Sequence, residues 1–447
     1  MVHSLRLGQR RLCVDGLALA ASALLFSAAP GLAAATLCVN PGGTGGCKST
    51  IMAAVAAATA GDVIEVAPGT DKEDVILTKS VSLIAKNRQK PVIDAQGLSN
   101  GFFINGMSAA PDAGVSGIVI SGFEVENANF EGILIANASH ITVRNSQVHD
   151  NDRALDISAG TCNGIPPFET NEGEDCGEGI HLMGVHHSFI MQNNVGYNAG
   201  GILISDETGQ SHHNLISGNN VHDNPYDCGI TMASHAPAVS NPLVMVSFGV
   251  TNNTVAGNIS HHNGYQVPGA GAGVGIFAPF PGTKAASNTV IANKLTDNGQ
   301  PGVTMHNHAW APAPAPAVNL DDNVIVGNYI AGNAADGEDA ATPGPTGINL
   351  YSVAPVWGTI VSENVIEDES VGIAFKAPTG RMDAHLNNFL FKGVGVDNLG
   401  SGTMDATENW WKCSGGPEAH GCATAAGKVW FTPWLTTPFV PLNPLGD

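Results

Sequence analysis

Histidine, carboxylate and aromatic residues recur at fixed distances from a glycine that precedes each of a series of short aliphatic segments. At the fourth position after this glycine, four consecutive segments carry Phe277, His306, Tyr351 and Lys376. Because side chains in a strand alternate between two faces, this position points away from the core if the first and third positions point inward. The four residues would form one outward row, about 14 Å long at the usual strand spacing. A row of that length could contact two or three sugar rings.

Further aromatic and amide side chains near this row complete a candidate sugar-binding surface. They are Phe280, Trp310, Asn349 and Trp357, in addition to Phe277. Aromatic rings with a few polar groups are typical of an oligosaccharide site. The alternative is a stack of ordinary outward side chains beneath Pro-rich loops, and the sequence leaves both interpretations open.

Two carboxylates at strand margins are candidates for the acid and base of a glycosidase. Asp206 and Asp227, with Glu207 beside the first, fall on neighbouring repeats. Glycosidases need two carboxyl groups roughly 5–10 Å apart, and neighbouring repeats provide that spacing. The alternative is that aspartates at turns accept hydrogen bonds from backbone amides.

A polysaccharide lyase would instead need a base and a cation beside the uronate carboxylate. The candidate bases are His235, His306, His308 and Tyr351. The cation would be Lys376, Arg153 or a bound Ca²⁺. His306 and His308 lack a third ligand, so no metal site is predicted. Under either chemistry, we expect His306→Ala or Tyr351→Phe to abolish turnover without loss of stability.

The repeat itself predicts the fold. Eight glycines each start a Gly-aliphatic-x-aliphatic segment: Gly132, Gly179, Gly201, Gly229, Gly273, Gly302, Gly347 and Gly372. The shortest spacings lie in the low twenties, which indicates one coil of a solenoid per repeat. Each strand then pairs in parallel with the same strand one coil later. A recurrent Asn in a second turn, with Asn258 among its members, predicts a hydrogen-bonded ladder along the axis. We predict an all-β, single-stranded parallel β-helix of about ten or eleven coils.

The ends of such a stack need caps, because they expose unpaired strand edges. At the front, residues 49–60 read as a short helix with Ser49 as its N-cap. At the back, tryptophans at 410, 411, 430 and 434 surround a pair of cysteines. We therefore predict the N-terminal cap and first coils at 36–100, the parallel β-helix at 101–400, and the C-terminal cap at 401–447.

Residues 1–35 have the features of a signal peptide. Arg6, Arg10 and Arg11 precede an apolar run too short to span a bilayer, and Ala33-Ala34-Ala35 is a typical cleavage site. We expect a secreted or periplasmic protein that does not insert in a membrane. Its net charge of −21 argues against nucleic acid as a partner.

Six of the eight cysteines form three close pairs, and an oxidising compartment predicts that each pair is a disulfide. The pairs are Cys38 with Cys47, Cys162 with Cys176, and Cys413 with Cys422. The double histidines at 186–187, 212–213 and 261–262 fall in turns and are predicted to be solvated.

Several segments resemble the pectate-lyase-like β-helix superfamily, in its NosD-like branch of right-handed β-helix repeat proteins. The stretch from Ser49 to Thr70 is similar to the usual first coil of that group, and Asn409-Trp410-Trp411 with Gly415-Gly416-Pro417 is similar to its usual last coil. The resemblance implies a right-handed parallel β-helix. The paired-aspartate and R-I-K motifs of polygalacturonases and the D-P-H-D motif of mannuronan epimerases do not occur in the chain. No catalytic residue can therefore be carried over.

The sequence therefore predicts an exported, carbohydrate-active β-helix whose partner is a polysaccharide or oligosaccharide. Hydrolysis is favoured over elimination or epimerisation, because basic side chains are few. The alternative is a non-catalytic glycan-binding or surface scaffold protein, which would share the fold and the exposed aromatic residues. Fold alone does not distinguish the two, and the sequence leaves the oligomeric state undetermined.

Overall fold

The computed structural model describes residues 34–87, 89–166, 168, 176–235, 247–266, 271–307, 309, 317–337, 342 and 344–440. The predicted signal peptide falls on residues outside this set up to position 33. Residues 35–447 form one compact unit. No helix in the described part of the chain has the length and apolarity to cross a membrane.

Three long sheets, in which every pairing is parallel, make up this unit. Sheet 1 has 14 strands: Thr36–Val39, Val63–Val66, Ser82–Ala85, Val119–Ser121, Thr142–Arg144, Phe189–Met191, Leu215–Ser217, Thr254–Ala256, Thr289–Ile291, Val324–Val326, Val356–Ser362, Gly380–His385, Thr403–Asp405 and Val429–Trp430. Sheet 2 has 11 strands: Thr70–Asp71, Val92–Asp94, Glu124–Glu126, Gln147–His149, Asn194–Gly196, Asn220–His222, Ile259–His261, Lys294–Thr296, Tyr329–Ala331, Val365–Glu367 and Asn388–Phe389.

Sheet 3 has 16 strands and contains the glycine-led segments of the repeat. They are Val75–Leu77, Phe102–Asn105, Val115–Ser116, Ile133–Ser139, Glu178–His186, Gly200–Ser205, Ser211–His212, Ile230–Ala233, Val250–Thr251, Val274–Phe277, Ala285–Ala286, Val303–Asn307, Thr346–Ser352, Val371–Lys376, Val394–Asn398 and Thr424–Gly427. A short antiparallel pair, Leu155–Asp156 with Thr161–Cys162, lies outside the three sheets. The 14 strands of sheet 1 exceed the predicted number of coils, because the two terminal regions also contribute strands.

Register explains why the core is continuous. Ile133 pairs with Ile180, which pairs with Ile202, so like side chains stack on one another from coil to coil. These isoleucines are fully buried, and each strand places its intervening residues on the opposite, outward face. The parallel β-helix predicted from the repeat is confirmed.

Buried asparagines connect the coils in three ladders, one in each turn of the coil. The longest runs through Asn193, Asn219, Asn258, Asn293, Asn328, Asn364, Asn387 and Asn409. In each step a side-chain oxygen accepts the backbone N–H of the previous asparagine, as between Asn258 and Asn293 at 2.9 Å. The ladders satisfy the backbone donors of the turns, which would otherwise be buried without partners.

The helix at the front is Ile51–Ala57, and its N-cap is Thr50 rather than the predicted Ser49. The Thr50 hydroxyl accepts the backbone N–H of Ala53 at 3.1 Å. At the back, the Trp411 ring is fully buried against Phe389. All three predicted disulfides are present.

Candidate functional site

Five hydrogen-bonded side chains cross the outward face of sheet 3 in its N-terminal half. His181 Nδ1 lies 2.9 Å from Glu131 Oε1, and His181 Nε2 lies 2.7 Å from Ser205 Oγ. The Ser205 hydroxyl donates to Glu207. The other oxygen of Glu207 lies 2.8 Å from Nδ1 of His235. We call these five residues the relay cluster.

The relay cluster is buried at one end and reaches towards solvent at the other. Glu131, His181 and Ser205 are at most 2% exposed, whereas the side chain of His235 is 10% exposed. Because Ser205 has one proton and donates it to Glu207, its oxygen accepts the Nε2–H of His181. The donors therefore have a consistent order, which allows a proton to move between Glu207 and the buried pair of Glu131 and His181.

A second glutamate joins the buried end. Glu178 Oε2 lies 3.8 Å from His181 Nδ1, and the Glu178 backbone N–H donates to Glu131 Oε2 at 2.6 Å. The chain can approach Glu131 this closely because Gly177 lacks a side chain: its φ is +150°, and a Cβ there would lie 2.8 Å from the Glu131 carboxylate. One ligand atom from each of Glu131, Glu178 and His181 lies within 4.8 Å of the other two, so this trio could also hold a transition-metal ion.

Asp227 lies two coils beyond Glu178, and both side chains approach Gly200, which is in register with Glu178 on the coil between them. A Cβ at Gly200 would lie 2.9 Å from Cγ of Glu178 and 3.4 Å from Oδ2 of Asp227. Both acidic side chains therefore approach the same glycine, Glu178 through its Cγ methylene and Asp227 through its carboxylate. Glu178 is 4% exposed and Asp227 is half-buried, so the two differ in access to solvent.

Asp206, the other predicted acid, accepts hydrogen bonds from backbone and side-chain groups of neighbouring segments. It accepts hydrogen bonds from the His235 N–H at 2.8 Å, the Ser234 hydroxyl at 3.1 Å and the Gly249 N–H. Burial, followed by the charge of Glu207, raises the pKa of Asp206 to about 6. These contacts favour the alternative in which Asp206 anchors the ends of a loop.

Glu207 differs from its neighbour in ionisation. Burial opposes its charge, but the charge and hydrogen bond of His235, together with His181 and Ser205, outweigh burial and lower the pKa of Glu207 to about 2. The two adjacent carboxyls thus have pKa values on opposite sides of their ordinary range. Because Glu207 is ionised, it accepts the hydrogen bond of the Ser205 hydroxyl, and the donors from His181 onwards point towards it.

The disulfide Cys162–Cys176 lies near the start of this face. The Cys176 N–H donates to the buried Asp152 at 3.2 Å. The ring of Phe168 stacks on that of Phe103, with centroids 6.1 Å apart. These contacts place Cys176 and Phe168 beside sheet 3.

The predicted row lies in the C-terminal half of the same face. Phe277 pairs with His306, His306 with Tyr351, and Tyr351 with Lys376 in the strand register. The Lys376 ammonium lies 5.3 Å from the centre of the Tyr351 ring. The ring of Phe277 lies flat on Gly275, where a Cβ would be 2.4 Å from the ring. The four side chains are thus aligned, and their role in sugar binding stays a prediction.

His306 is held in a buried polar group that we call the His306 cluster, with Thr304, Asp336 and Asn349. His306 Nε2 lies 2.7 Å from both Asp336 Oδ2 and Thr304 Oγ1. The Asn349 amide lies 3.4 Å from the same Asp336 oxygen. All four residues are at most 1% exposed. The expectation that His306→Ala leaves stability intact does not fit this burial, because Asp336 would lose the ion pair.

The remaining predicted residues are more scattered. Phe280 is 49% exposed in a turn that leaves the row. Trp357, which is 52% exposed, lies in the sheet 1 strand Val356–Ser362 and not in a loop beside the row. Sheet 1 is a different wall of the coil, so Trp357 does not extend the candidate surface. His308 and Trp310 lie outside the described residues.

Sequence reasoning did not single out Glu131, Glu178, His181 or Ser205. Both glutamates directly precede a repeat glycine, at a position that strict alternation assigns to the inward face. Their contacts with His181 show that alternation is broken at the glycine. A glutamate before the repeat glycine in two consecutive coils, with no charge at that position in the next three, was the available signal.

A family model described as "Right handed beta helix region" matches residues 100–246. The chain is a right-handed parallel β-helix. The matched part of the β-helix contains the whole relay cluster together with Glu178 and Asp227. A search of curated protein sequences finds no match.

Solved structures of similar fold include the A-module of a mannuronan C-5 epimerase from Azotobacter vinelandii, at 14% identity and a TM-score of 0.49, over 78% of this chain and 92% of the other. A DFA-IIIase from Arthrobacter chlorophenolicus, solved without its lid, has 12% identity and a TM-score of 0.45, over 84% and 89%. An alginate lyase from Paenibacillus has 12% identity and a TM-score of 0.36, over 89% and 99%. At these identities the likeness concerns the fold alone.

Proposed function

We propose that this β-helix is an exported glycoside hydrolase that cleaves a neutral polysaccharide on the outward face of sheet 3. The observation that supports it best is the pair of acidic side chains, Glu178 and Asp227, on either side of Gly200. A glycosidase needs two carboxyl groups on one face, one as the acid and one as the base or nucleophile. Export is supported by the three disulfides.

Glu178 is suited to act as the general acid. It is buried, and it lies beside His181 at the end of the relay cluster. A general acid must carry a proton when substrate binds, and His181 Nδ1, 3.8 Å from Glu178 Oε2, is positioned to supply it. Asp227 has more contact with solvent and is suited to act on water or on the anomeric carbon.

The charge of the face favours a neutral substrate. Among the described strands of sheet 3, the only Lys or Arg is Lys376. The same strands contain Glu178 and Asp397, and adjoining residues add Glu131, Glu207 and Asp227. A uronate chain would be repelled by these carboxylates, and among the described strands of sheet 3 only Lys376, at the far end of the row, could offset this repulsion. Hydrolysis of an uncharged sugar needs no such cation.

The aligned side chains of the C-terminal half extend the site as binding subsites. Phe277 and Tyr351 are half-buried, and Lys376 is exposed at the far end of the row. A polysaccharide that lies along the helix axis would contact the acidic pair with one segment and these side chains with another. Partial exposure of rings on a continuous face is suited to stacking against sugars.

The test compares Glu178→Gln and Asp227→Asn with the wild-type protein on a set of neutral polysaccharides, read by new reducing ends. Both variants should lose activity and keep the thermal melting of the wild type. Asp223→Asn is the matched control, because Asp223 is a half-buried aspartate in a sheet 2 turn on another side of the coil. The assignment fails if the Asp227→Asn and Glu178→Gln variants retain wild-type turnover.

A glycan-binding protein without catalysis is the second candidate, and the burial of the relay cluster favours it. Buried polar networks can serve fold specificity alone. In that case the polysaccharide set yields no new reducing ends, while substitution of Tyr351 or Lys376 weakens retention on an immobilised glycan.

A further inference from the structure

A second group of titratable side chains lies at the corner between sheet 3 and sheet 1, away from the acidic pair. Five histidines form two adjacent columns there: His140, His186, His187, His212 and His213. His186 ends a sheet 3 strand and pairs in register with His212 on the next coil. The residues that follow them, His187 and His213, form the corner itself.

The parallel coils bring the imidazole rings into stacks. The rings of His186 and His212 are parallel with centroids 4.9 Å apart, and those of His187 and His213 are parallel at 5.2 Å. His140 stacks on His187 at 5.5 Å and extends the corner column by one coil. The column positions are fixed by the backbone, because each corner histidine has a positive φ of 53–54°.

In each pair of consecutive histidines at this corner, the two imidazole rings point their Nδ1 atoms at each other. The Nδ1 atoms of His186 and His187 are 3.0 Å apart, and those of His212 and His213 are 2.8 Å apart. One ligand nitrogen from each of His187, His212 and His213 lies within 4.8 Å of the other two. In a metal-free pair a single proton must be shared between two nitrogen lone pairs.

We propose that this histidine array is a binding site for a divalent transition-metal ion such as Zn²⁺ or Ni²⁺, held by His187, His212 and His213. Imidazole nitrogens are the preferred ligands of these ions. Zn–N bonds of about 2.0–2.1 Å in a tetrahedron place ligand nitrogens roughly 3.3 Å apart. The Nδ1 atoms of His212 and His213, 2.8 Å apart, are already close to that separation, and a ring nitrogen of His187 lies within 4.8 Å of its counterparts on both. A water molecule would supply the fourth ligand.

The surroundings are compatible with entry and binding of an ion. His187 and His213 are exposed, and His212 is half-buried. Desolvation and the mutual repulsion of neighbouring imidazoles lower the pKa of His187 and of His212. A lowered pKa keeps the rings neutral, and a metal ion needs neutral imidazoles.

Equivalent corners elsewhere show what is particular to this one. In the turns after sheet 2, His222 Nδ1 lies 2.8 Å from Asp223 and His149 Nδ1 lies 2.9 Å from Asp150. There an aspartate satisfies the imidazole through an ordinary ion pair. The pair His261–His262, with Nδ1 atoms 3.2 Å apart, has the same local geometry as the array but only one such pair of rings.

The experiment is a calorimetric titration of untagged, metal-stripped protein with ZnCl₂ and separately with NiCl₂ at neutral pH. The wild type should bind with a saturable site of micromolar or tighter affinity, and the triple variant His187→Gln/His212→Gln/His213→Gln should bind at least tenfold more weakly. The double variant His261→Gln/His262→Gln is the matched control and should bind like the wild type. The single variant His213→Gln, at an exposed position, covers the case in which the triple variant fails to fold.

The proposal is overturned if the wild type shows no saturable site. It is also overturned if the His213→Gln and triple variants bind as tightly as the wild type, which would point to Glu131, Glu178 and His181 instead. Hydrolysis of polysaccharide by the triple variant should be unchanged, so failure of the metal site and failure of the proposed hydrolase are distinguishable.

Discussion

Two histidines on the outward face of sheet 3 each lie between a carboxylate and a hydroxyl group, but they are connected differently. His181 uses its two ring nitrogens for two partners, Glu131 on Nδ1 and Ser205 on Nε2. At His306, both Asp336 and Thr304 contact the same nitrogen, Nε2. The first ring bridges a carboxylate and a hydroxyl group through opposite nitrogens, whereas the second directs one nitrogen at both of these partners.

The difference shows that residue type and burial do not by themselves identify a catalytic group. Both histidines are at most 2% exposed, and both lie beside a buried carboxylate. The contacts described for His181 continue through Ser205 and Glu207 to His235, whose side chain is 10% exposed. The proposed function places its chemistry beside the relay cluster because the acidic pair lies there, and the burial of the His306 cluster predicts a contribution to stability.

The largest expected effect is at the acidic pair beside the relay cluster. Glu178→Gln and Asp227→Asn should each lower kcat by roughly 100- to 10,000-fold, the range that positioned acids and bases contribute. Melting temperature should change little, because both amides are nearly isosteric with the acids. Reducing-end assays and thermal melts on the same preparations measure both quantities.

His306→Ala should instead act on stability. Removal of the imidazole leaves Asp336 buried without its ion pair, so the free energy of unfolding should fall by roughly 3–5 kcal/mol. Denaturant unfolding measures this, with the exposed His262→Ala as control. If the His306→Ala variant has normal stability and no activity, catalysis takes place in the C-terminal half of the face. That result would contradict the structural contribution expected of the His306 cluster.

Glu369 is a buried carboxyl group whose described hydrogen-bond partners are amides, in contrast to the carboxyl groups beside His181 and His306. It ends an asparagine ladder by accepting both the N–H and the side-chain amide of Asn333. Burial raises the pKa of Glu369 from 4.5 to about 8. The stability that this group contributes is therefore fully present below pH 4.5 and is lost as the pH rises to about 8.

Glu369→Gln should remove this loss of stability. At pH 8 the variant should be more stable than the wild type by at most roughly 4 kcal/mol, and below pH 4.5 the two should be alike. Melting temperatures across this pH range test it. Parallel curves for the two proteins would mean that Glu369 is ionised in the fold without penalty.

The smallest expected effect is at the exposed end of the row. Lys376→Gln and Tyr351→Phe should change KM by less than about tenfold and leave kcat nearly unchanged, because these side chains contact substrate remote from the acidic pair. Steady-state kinetics on a long and a short oligosaccharide separates the two parameters. A loss in kcat at Tyr351→Phe would favour the lyase alternative.

The fold could be predicted because the same glycine-led strand segment recurs in one coil after another. Gly179, Gly201 and Gly229 each start the same segment, and a stacked core tolerates no other register for the isoleucines that follow them. The row from Phe277 to Lys376 followed from counting along that register. Asn258 was likewise assigned to a ladder from its spacing alone.

The residues of the candidate site were harder to predict from the sequence, because the site depends on positions where the chain departs from the repeat. Glu131 and Glu178 break alternation at a glycine, and Gly177 permits a close approach that only its φ reveals. Asp206 and Asp227 look equivalent in sequence, but one binds backbone amides and the other approaches the same glycine as Glu178. The histidine pairs were predicted to be solvated, and parallel coils bring them into stacks.

The central claim is tested most directly by incubating wild type and Asp227→Asn with neutral polysaccharides and with uronate polymers, with and without Ca²⁺. New reducing ends and the ultraviolet absorbance of unsaturated uronyl products are followed together. The account predicts reducing ends from a neutral polysaccharide without absorbance, lost in Asp227→Asn. Absorbing products from a uronate polymer, formed equally by both proteins, would contradict it.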